Sequence, residues 1–100
     1  MQYDVIITGD AENDIEQASD WYENIQFGLG TKFVLSIKKS LQLLLNNPFT
    51  FATVYLEIRK VNTKKFPYSI YYQVNENKNL ITVFAVIHSS RNDKTWKIRI

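Results

Sequence analysis

The sequence predicts an α+β fold: an N-terminal strand, then an α-helical hairpin packed on one face of a mainly antiparallel sheet of three to four strands. Two observations predict it. Apolar residues recur at helical spacing between positions 11 and 46, and strand-like runs occupy positions 68 to 88. The chain has 100 residues, of which 45% are hydrophobic, which is enough for one core. We therefore expect a single domain over residues 1–100.

The first strand is predicted over Tyr3–Thr8, where β-branched residues are frequent, and Gly9 and Asp10 end it. Asp10 has the short polar side chain of an N-cap and predicts a helix over Ala11–Ile25. The apolar residues of this helix are three or four positions apart and form one stripe: Ala11, Ile15, Ala18, Tyr22 and Ile25. Glu12, Glu16, Asp20 and Glu23 follow the same period on another face. We expect the charged side of this helix, which also includes Asp10 and Asp14, to meet only water.

The second helix is predicted over Thr31–Asn46, after a tight break at Phe27–Gly30. Pro48 disfavours helix in the residue before it, so the helix ends near Asn46. The residues expected to face inward are Phe33, Val34, Ile37, Leu41, Leu44 and Leu45. A short break between two amphipathic helices predicts an antiparallel helical hairpin.

The sheet is predicted from the second half of the chain. Two strands are clear, Tyr68–Val74 and Leu80–His88, and a hairpin loop joins them. The first of these strands alternates, with Tyr68, Ile70, Tyr72 and Val74 on one face and Ser69, Tyr71 and Gln73 on the other. A weaker strand covers Ile58–Thr63, Phe49–Glu57 is either a loop or the lead into a strand, and Thr95–Ile100 is a short extended tail. The helical hairpin has to cover one face of the sheet, which leaves the other face without a predicted cover.

Composition excludes several kinds of site. The chain has no cysteine and a single histidine, His88, so it has no disulfide, no thiol nucleophile and no zinc site built on cysteine or paired histidines. Its three glycines form no phosphate-binding loop. We expect no metal and no cofactor. The start of the chain lacks the pattern of a signal peptide and the apolar runs are too short to span a membrane, so we expect a cytoplasmic protein.

Charge is distributed unevenly along the chain. The first 50 residues hold seven acidic and three basic residues, and the last 50 hold nine basic and three acidic ones. Most bases of the second half form two clusters: Arg59, Lys60, Lys64 and Lys65, and then Arg91, Lys94, Lys97 and Arg99. Either they bind an anionic partner or the lysines protect sheet edges. Arg59 and Arg91 are the stronger binding candidates, because a guanidinium makes forked contacts with carboxylate or phosphate.

Two other side chains each have two interpretations. His88 lies close to Arg91 in sequence and could transfer a proton beside a phosphate, or its ring could hydrogen-bond the backbone of the following loop. Trp96 could stack on a nucleic-acid base or seal one end of the core.

Four short motifs, in order along the chain, carry a family resemblance. Phe66–Val74 is similar to the strand motif fPY-x-i-x-Y-x-v, and His88–Trp96 is similar to the ending H-x-x-R-x-x-x-x-W. Ala11–Ile15 is similar to the helix start A-x-x-D-l, and Asn47-Pro48 falls where a second helix ends. In this set, which covers essentially the whole chain, the sequence resembles the RelE/ParE superfamily of toxins from bacterial type II toxin–antitoxin modules.

The resemblance implies a microbial-RNase-like fold with the helical hairpin on a curved sheet. It also implies a cognate antitoxin that holds the toxin inactive through an acidic or amphipathic segment. RelE-like members cleave mRNA on the ribosome, and ParE-like members inhibit DNA gyrase. Two positions depart from the RelE pattern: Ser69 stands where that motif has an arginine, and Trp96 stands near its tyrosine.

Three hypotheses stay open. A ParE-like toxin that inhibits a target such as gyrase is slightly preferred, with the partner-binding residues Arg59, Arg91, Trp96, Lys97 and Arg99. The alternative is a RelE-like ribosome-dependent mRNA endoribonuclease with the catalytic residues Arg59, Lys60, His88 and Arg91, and with Glu57 as the nearest carboxylate. The third is an inactive homologue that still binds an antitoxin. The register of Ile58–Thr63 decides whether Arg59 and His88 share a sheet face.

Overall fold

A computed structural model describes residues 2–91 and 95–99. Their helices and strands are, in chain order, β1 (Asp4–Ile7), α1 (Gly9–Ile25), α2 (Leu29–Asn46), β2 (Thr53–Tyr55), β3 (Ile58–Asn62), β4 (Tyr68–Asn75), β5 (Leu80–His88) and α3 (Thr95–Ile98). Within these residues, five strands form one sheet in the order β1-β5-β4-β3-β2. Helices α1 and α2 pack together on one face of it. The predicted α+β architecture is therefore confirmed.

The strand count is slightly higher than the predicted three to four. β1 runs parallel to β5, whereas the other neighbouring strands are antiparallel. The helical hairpin supplies the long crossover connection that a parallel pair requires. β2 lies within Phe49–Glu57, so this segment leads into an edge strand and adds to the sheet on the side opposite β1.

The start of α1 differs from the prediction. The helix begins at Gly9, and its N-cap is Thr8, whose Oγ1 accepts a hydrogen bond from the backbone N–H of Ala11 at 3.2 Å. The predicted N-cap, Asp10, lies in the first turn instead, where its negative charge suits the helix dipole.

The end of the chain also differs. The prediction of an extended tail over Thr95–Ile100 is wrong for Thr95–Ile98, which form the helical turn α3. This turn brings Trp96 into contact with a group of buried residues on the sheet. Residues 92–94 and Ile100 lie outside the described residues, and so does the predicted base Lys94.

The connection between α1 and α2 is held by one carboxylate. Glu23 of α1 accepts hydrogen bonds from the backbone N–H groups of Gly28 and Gly30, each at 2.9 Å, and so caps the N-terminus of α2. A Cβ on Gly30 would lie 2.5 Å from the carbonyl oxygen of Ser19. The two helices therefore approach each other closely at this point, and only glycine fits there.

We expected the charged side of α1 to meet only water, but two of its carboxylates bond to the rest of the chain. Asp14 Oδ2 accepts the backbone N–H of Val86 in β5 at 3.0 Å. β1 is too short to pair with this part of β5, so the Asp14 side chain satisfies a strand-edge donor that would otherwise lack a partner. Asp14 and Glu23 are thus structural residues, and the expectation is wrong for both.

The larger core cluster lies between the hairpin and the sheet. Its buried members are Ala11, Ala18, Tyr22, Phe33, Ile37, Leu44, Val61, Ile70, Tyr72, Ile81, Val83 and Val86. The predicted alternation of β4 is confirmed, because Tyr68, Ile70, Tyr72 and Val74 join this cluster and Tyr71 joins a separate one. Across the stretches 2–91 and 95–99, no helix has both the length and the apolar character needed to cross a membrane.

Candidate functional site

The sheet face turned away from α1 and α2, here called the second face, carries the smaller core cluster. Its buried members are Ile58, Phe84, Ala85 and Ile87, with Tyr71 and Trp96 packed against them. The ring of Trp96 stacks on that of Tyr71, with centroids 5.1 Å apart and planes 10° from parallel. The interpretation of Trp96 as a residue that seals a core therefore matches its contacts in the structure.

A bulge in β5 shapes this face. Tyr71 pairs with Ala85, but Tyr72 pairs with Val83, so Phe84 is one extra residue on its strand. As a result Phe84 and Ala85, although consecutive, both pack on the second face. The bulge supplies the apolar floor beneath Tyr71 and Trp96.

Two lysine ammonium groups lie over the rings of the second face. Lys97 Nζ is 4.2 Å from the centroid of Tyr55 and 5.9 Å from that of Trp96. Lys60 Nζ is 6.0 Å from the centroid of Tyr71. We call Tyr55, Lys60, Tyr71, Trp96 and Lys97 the aromatic–lysine patch. At these distances the negative face of an aromatic ring attracts an ammonium group through a cation–π interaction.

The patch has the chemistry of a binding surface. Partly exposed rings offer flat apolar contact area, and ammonium groups attract carboxylates or phosphates. Among the described residues that make up the patch, none is a histidine or a carboxylate that could act as a general base. Trp96, Lys97 and Lys60 were predicted as functional residues, and the fold brings these three together.

Tyr55 and Tyr71 belong to the patch and were not predicted as functional residues. A signal existed for Tyr71, because it occupies the face of β4 opposite the core-facing tyrosines. Lys60 lies directly across from it, since the β3–β4 register pairs these two residues. For Tyr55 there was no signal, because its strand, β2, has only three residues and could not be separated from a loop by pattern.

Arg59 points to the opposite side of the sheet from Lys60. It pairs with Tyr72, whose side chain is part of the core beneath the helices. Its Nη1 donates to the carbonyl oxygens of Phe51, at 2.6 Å, and Phe49, at 3.2 Å, and its guanidinium lies 5.2 Å from the Phe49 ring centroid. Arg59 therefore holds the segment that precedes β2.

His88 lies on the same sheet side as Arg59, since it pairs with Tyr68 at the end of β5. The register places Arg59 and His88 four residues apart along the strands and two strands apart across the sheet, which separates their Cα atoms by roughly 16 Å. The Arg59 guanidinium is held by the carbonyl oxygens of Phe49 and Phe51, and the His88 ring is held by the loop after β5, so the two side chains do not meet in this structure. The question of their relative facing is thus answered, but the two residues do not form one site.

The His88 ring hydrogen-bonds the loop that follows it. Its Nδ1 accepts from the backbone N–H of Ser90 at 3.1 Å and contacts the Ser90 hydroxyl at 2.7 Å. The ring also meets Tyr68 edge-on at 5.2 Å. The loop-holding interpretation of His88 therefore agrees with these contacts.

A cavity of about 210 Å³ brings His88 and Arg91 together between β5 and α1. Asp14, Trp21 and Tyr68 also line it. Burial raises the pKa of the Tyr68 hydroxyl; the nearby Tyr22 and Asp14 add to the rise, and Arg91 opposes it. The cavity contains groups of both signs, so it does not select strongly for an anion.

Arg99 is paired within the chain. Its Nη1 and Nη2 donate to the two carboxylate oxygens of Asp14, at 2.6 and 3.1 Å, and Nη1 also donates to the carbonyl oxygen of Phe84 at 3.1 Å. The Arg99 side chain is only 17% exposed. This forked contact fastens the end of α3 to α1 and β5, which is a structural task for a residue predicted to bind a partner.

Glu57 and Ser69 occupy positions that bear on catalysis. Glu57, the candidate carboxylate, is exposed in the turn between β2 and β3. Ser69, at the position where the RelE motif has arginine, is fully buried and donates to Asn62 Oδ1 at 2.7 Å. This position therefore contributes no positive charge to the second face. The side chains of Arg59, Lys60 and His88 do not converge on one point either.

Most of the chain matches one family of known proteins. Residues 5–93 match the model of the family described as "ParE toxin of type II toxin-antitoxin system, parDE". No curated protein matches the chain significantly.

Solved structures with the same fold include toxins in and out of complexes. The chromosomal ParDE toxin–antitoxin system from P. aeruginosa matches with a TM-score of 0.72 and 17% identity, over 87% of this chain and 96% of that one. The intact E. coli RelBE toxin–antitoxin complex matches with a TM-score of 0.69 and 20% identity, over 89% and 99%. The isolated E. coli RelE toxin matches with a TM-score of 0.67 and 18% identity, over 96% and 93%. At these identities the likeness concerns the fold.

Proposed function

The chain belongs to the ParE toxin family of type II toxin–antitoxin systems, and we propose that this toxin acts by binding DNA gyrase through the aromatic–lysine patch, until a cognate antitoxin neutralises it. On this proposal the protein inhibits its target by surface complementarity and needs no chemistry on a substrate. Its compartment is then the cytoplasm, where gyrase works.

One observation carries the preference for binding over catalysis: the four residues required by a ribonuclease mechanism do not share a site. Lys60 lies on the second face, and Arg59 lies on the other face, occupied by two carbonyl oxygens. The Nδ1 of His88 is occupied by the loop after β5. Phosphate cleavage needs a base, an acid and charge stabilisation within a few ångströms of one phosphate.

The patch supports the binding proposal for a positive reason. Interfaces concentrate their binding energy in large aromatic side chains surrounded by a polar rim. The rings of Trp96, Tyr71 and Tyr55 pack together on the second face, and the lysine ammonium groups over these rings would steer the toxin toward an acidic surface. Because the rings already pack against each other, little side-chain entropy is lost on binding.

The second candidate is a ribosome-dependent mRNA endoribonuclease, and one observation favours it. His88 and Arg91 line the same cavity, so a phosphate there could meet a guanidinium beside an imidazole. In that mechanism Arg91 stabilises the charge on the phosphate while the imidazole of His88 moves a proton.

Two assays run side by side separate the candidates. Purified toxin is added to gyrase with relaxed plasmid, and supercoiling is measured; the same preparation is added to a translation reaction, and primer extension maps cuts in the mRNA. We expect loss of supercoiling, no codon-positioned cuts, and unchanged inhibition for His88→Ala and Arg91→Ala. Cuts that disappear in those two variants, with normal supercoiling, would establish the ribonuclease instead.

A further inference from the structure

α2 carries an apolar stripe that the core does not use. Leu35 is 51% exposed and Leu43 is 44% exposed, although the opposite side of the helix is buried. They are eight residues apart, which is about 12 Å along the helix axis. Both line a groove of about 910 Å³ that runs between α2, β3 and the β3–β4 turn.

The floor of the groove is open because two of the α2 residues that form it are small. Ser36 and Ser40 of α2 are 8% and 4% exposed, and they lie between the two leucines on the helix surface. The Ser36 hydroxyl donates to the carbonyl oxygen of Lys64 at 2.7 Å, which fixes the β3–β4 turn as one wall. Val61, buried on β3, forms part of the apolar base. An incoming helix could therefore lie against α2 without displacing large side chains.

The rim of the groove is positive. Lys32 and Lys39 of α2 line one side, and Lys64 and Lys65 of the turn line the other. Among the described residues that line it, none is acidic. An apolar floor between four ammonium groups complements a helix that has leucine-like residues on one face and carboxylates flanking them. We call this feature the lysine-rimmed groove.

We propose that the lysine-rimmed groove is the docking site for an acidic amphipathic helix of the antitoxin. The proposal rests on the proposed function, since it assumes that an antitoxin exists. It also places the antitoxin site and the target site on opposite faces of the sheet. The groove lies on the helix side of β3, where Val61 points, and the aromatic–lysine patch lies on the other side, where Lys60 points. The residues that anchor the antitoxin are therefore different from the residues that bind the target.

The test uses full-length toxin co-expressed with the product of the small reading frame that adjoins its gene. The groove variant is Leu35→Glu/Leu43→Glu, in which both changes are at exposed positions. A second variant, Lys39→Glu, reverses one rim charge, and Lys38→Glu is its matched control because Lys38 is also exposed on α2 but does not line the groove. Binding is measured by titration with purified partner, toxicity by growth without the partner, and folding by thermal unfolding.

We expect the double leucine variant to bind the partner at least about 30-fold more weakly, because two buried apolar contacts of an interface are replaced by repelling charges. Lys39→Glu should lose about five- to tenfold at low salt and less at high salt. Lys38→Glu should bind as the wild type does. Every variant should still arrest growth when the partner is absent.

Three results would overturn the proposal. Binding that survives Leu35→Glu/Leu43→Glu places the antitoxin elsewhere, although the toxin–antitoxin function stands. A groove variant that loses growth arrest while folded shows that the groove is part of the target-binding surface. Self-association of the wild-type chain that the leucine changes abolish identifies a second copy as the occupant. If the adjoining product neither binds nor protects against the wild-type toxin, the proposed neutralisation itself fails, which is a distinguishable result.

Discussion

The two faces of the sheet treat positive charge differently. On the helix-covered side, Arg59 donates to two carbonyl oxygens of its own chain. At the edge of the sheet, Arg99 donates to a carboxylate and a carbonyl. On the second face, the ammonium groups of Lys60 and Lys97 lie over aromatic rings. A ring carries no net charge, so these ammonium groups can still attract an anionic partner. Bases that cluster in the sequence therefore divide into structural residues, whose acceptors lie within the chain, and candidate binding residues.

The two faces also differ in how deeply they are covered. The helical hairpin buries most of the core, including Phe33 and Tyr72, which are fully inaccessible. The second face is covered, within residues 2–91 and 95–99, by Tyr71 and the short turn that carries Trp96. We therefore expect stability to depend mainly on the helix-covered side and binding mainly on the second face.

The largest effect should come from truncating the centre of the helix-covered core. Phe33 is fully buried and meets Tyr22, Phe66 and Tyr68 with ring centroids 5.0 to 5.4 Å away. Phe33→Ala should lower the free energy of unfolding by about 3–5 kcal/mol. Trp96→Ala, the same kind of truncation on the second face, should cost roughly 1–2 kcal/mol, because the ring is only partly buried. Equal losses of unfolding free energy for the two variants in urea would contradict the expectation that stability depends mainly on the helix-covered side.

The next effect concerns the edge contact between α1 and the end of α3. Asp14→Asn removes the carboxylate that Arg99 meets at 2.6 Å, while Asp10 stays at 3.9 Å from Arg99 Nε. The variant should lower stability by about 1.5–3 kcal/mol, because a largely buried guanidinium loses its shortest charged contact. Asp20→Asn on the exposed side of the same helix is the control and should change stability little. A comparable loss for both variants in thermal unfolding would mean that the loss reflects the charge of α1 and not this contact.

Close helix packing gives the third prediction. Gly30→Ala places a Cβ 2.5 Å from the Ser19 carbonyl oxygen, so the helices must separate, at a cost of about 1–3 kcal/mol. Gly9→Ala is the matched control: no atom lies within 4 Å of its Cβ, and alanine favours helix over glycine. Chemical denaturation should show a loss for the first variant and a neutral or slightly stabilising effect for the second. A neutral Gly30→Ala would refute the close approach.

The smallest effect at neutral pH belongs to the Tyr72 hydroxyl, which donates to the Pro48 carbonyl at 2.8 Å. Tyr72→Phe should cost about 0.5–1.5 kcal/mol there. Burial raises the pKa of Tyr72 to about 12, against an opposing effect of Arg59. The unfolded chain ionises this tyrosine near pH 10, so its contribution is complete below pH 10 and is lost as the pH rises toward 12.

The check for Tyr72 is stability measured from pH 8 to 12. Wild type should lose stability above pH 10, and Tyr72→Phe should lose less over the same range. Part of the decline should persist in the variant, because burial also raises the pKa of Tyr22 and Tyr68. Parallel curves for the two proteins would show that Tyr72 is not the group responsible.

Much of the fold could be predicted from local patterns. The helical stripe of Ala11, Ala18 and Tyr22 and the alternation of β4 reflect burial on one side, and periodicity reports burial directly. The parallel pairing of β1 with β5 could not be predicted, because it depends on where a distant crossover ends. Nor could the bulge at Phe84, which reverses the facing of the last residues of β5 and so places His88 on the helix-covered side.

The site was harder to predict than the fold. Trp96, Lys97 and Lys60 were recognisable because tryptophan and clustered bases stand out in the sequence, yet Arg99 has the same appearance and is a structural residue. What separates them is Asp14, which is 85 positions away from Arg99 in the chain. No local pattern contains such a pairing. The serine at position 69, by contrast, can be recognised from the sequence alone as the loss of one positive charge from the RelE pattern.

The most direct test of the account is a titration of gyrase supercoiling with the aromatic–lysine patch altered. Lys60→Ala/Lys97→Ala removes both ammonium groups of the patch, and Lys38→Ala/Lys78→Ala removes the same charge from exposed positions outside it. We predict that the toxin concentration for half-inhibition rises at least about tenfold for the patch variant, equivalent to about 1.4 kcal/mol, and stays within about twofold for the control. Equal inhibition by the two folded variants would contradict the claim that the second face binds the target.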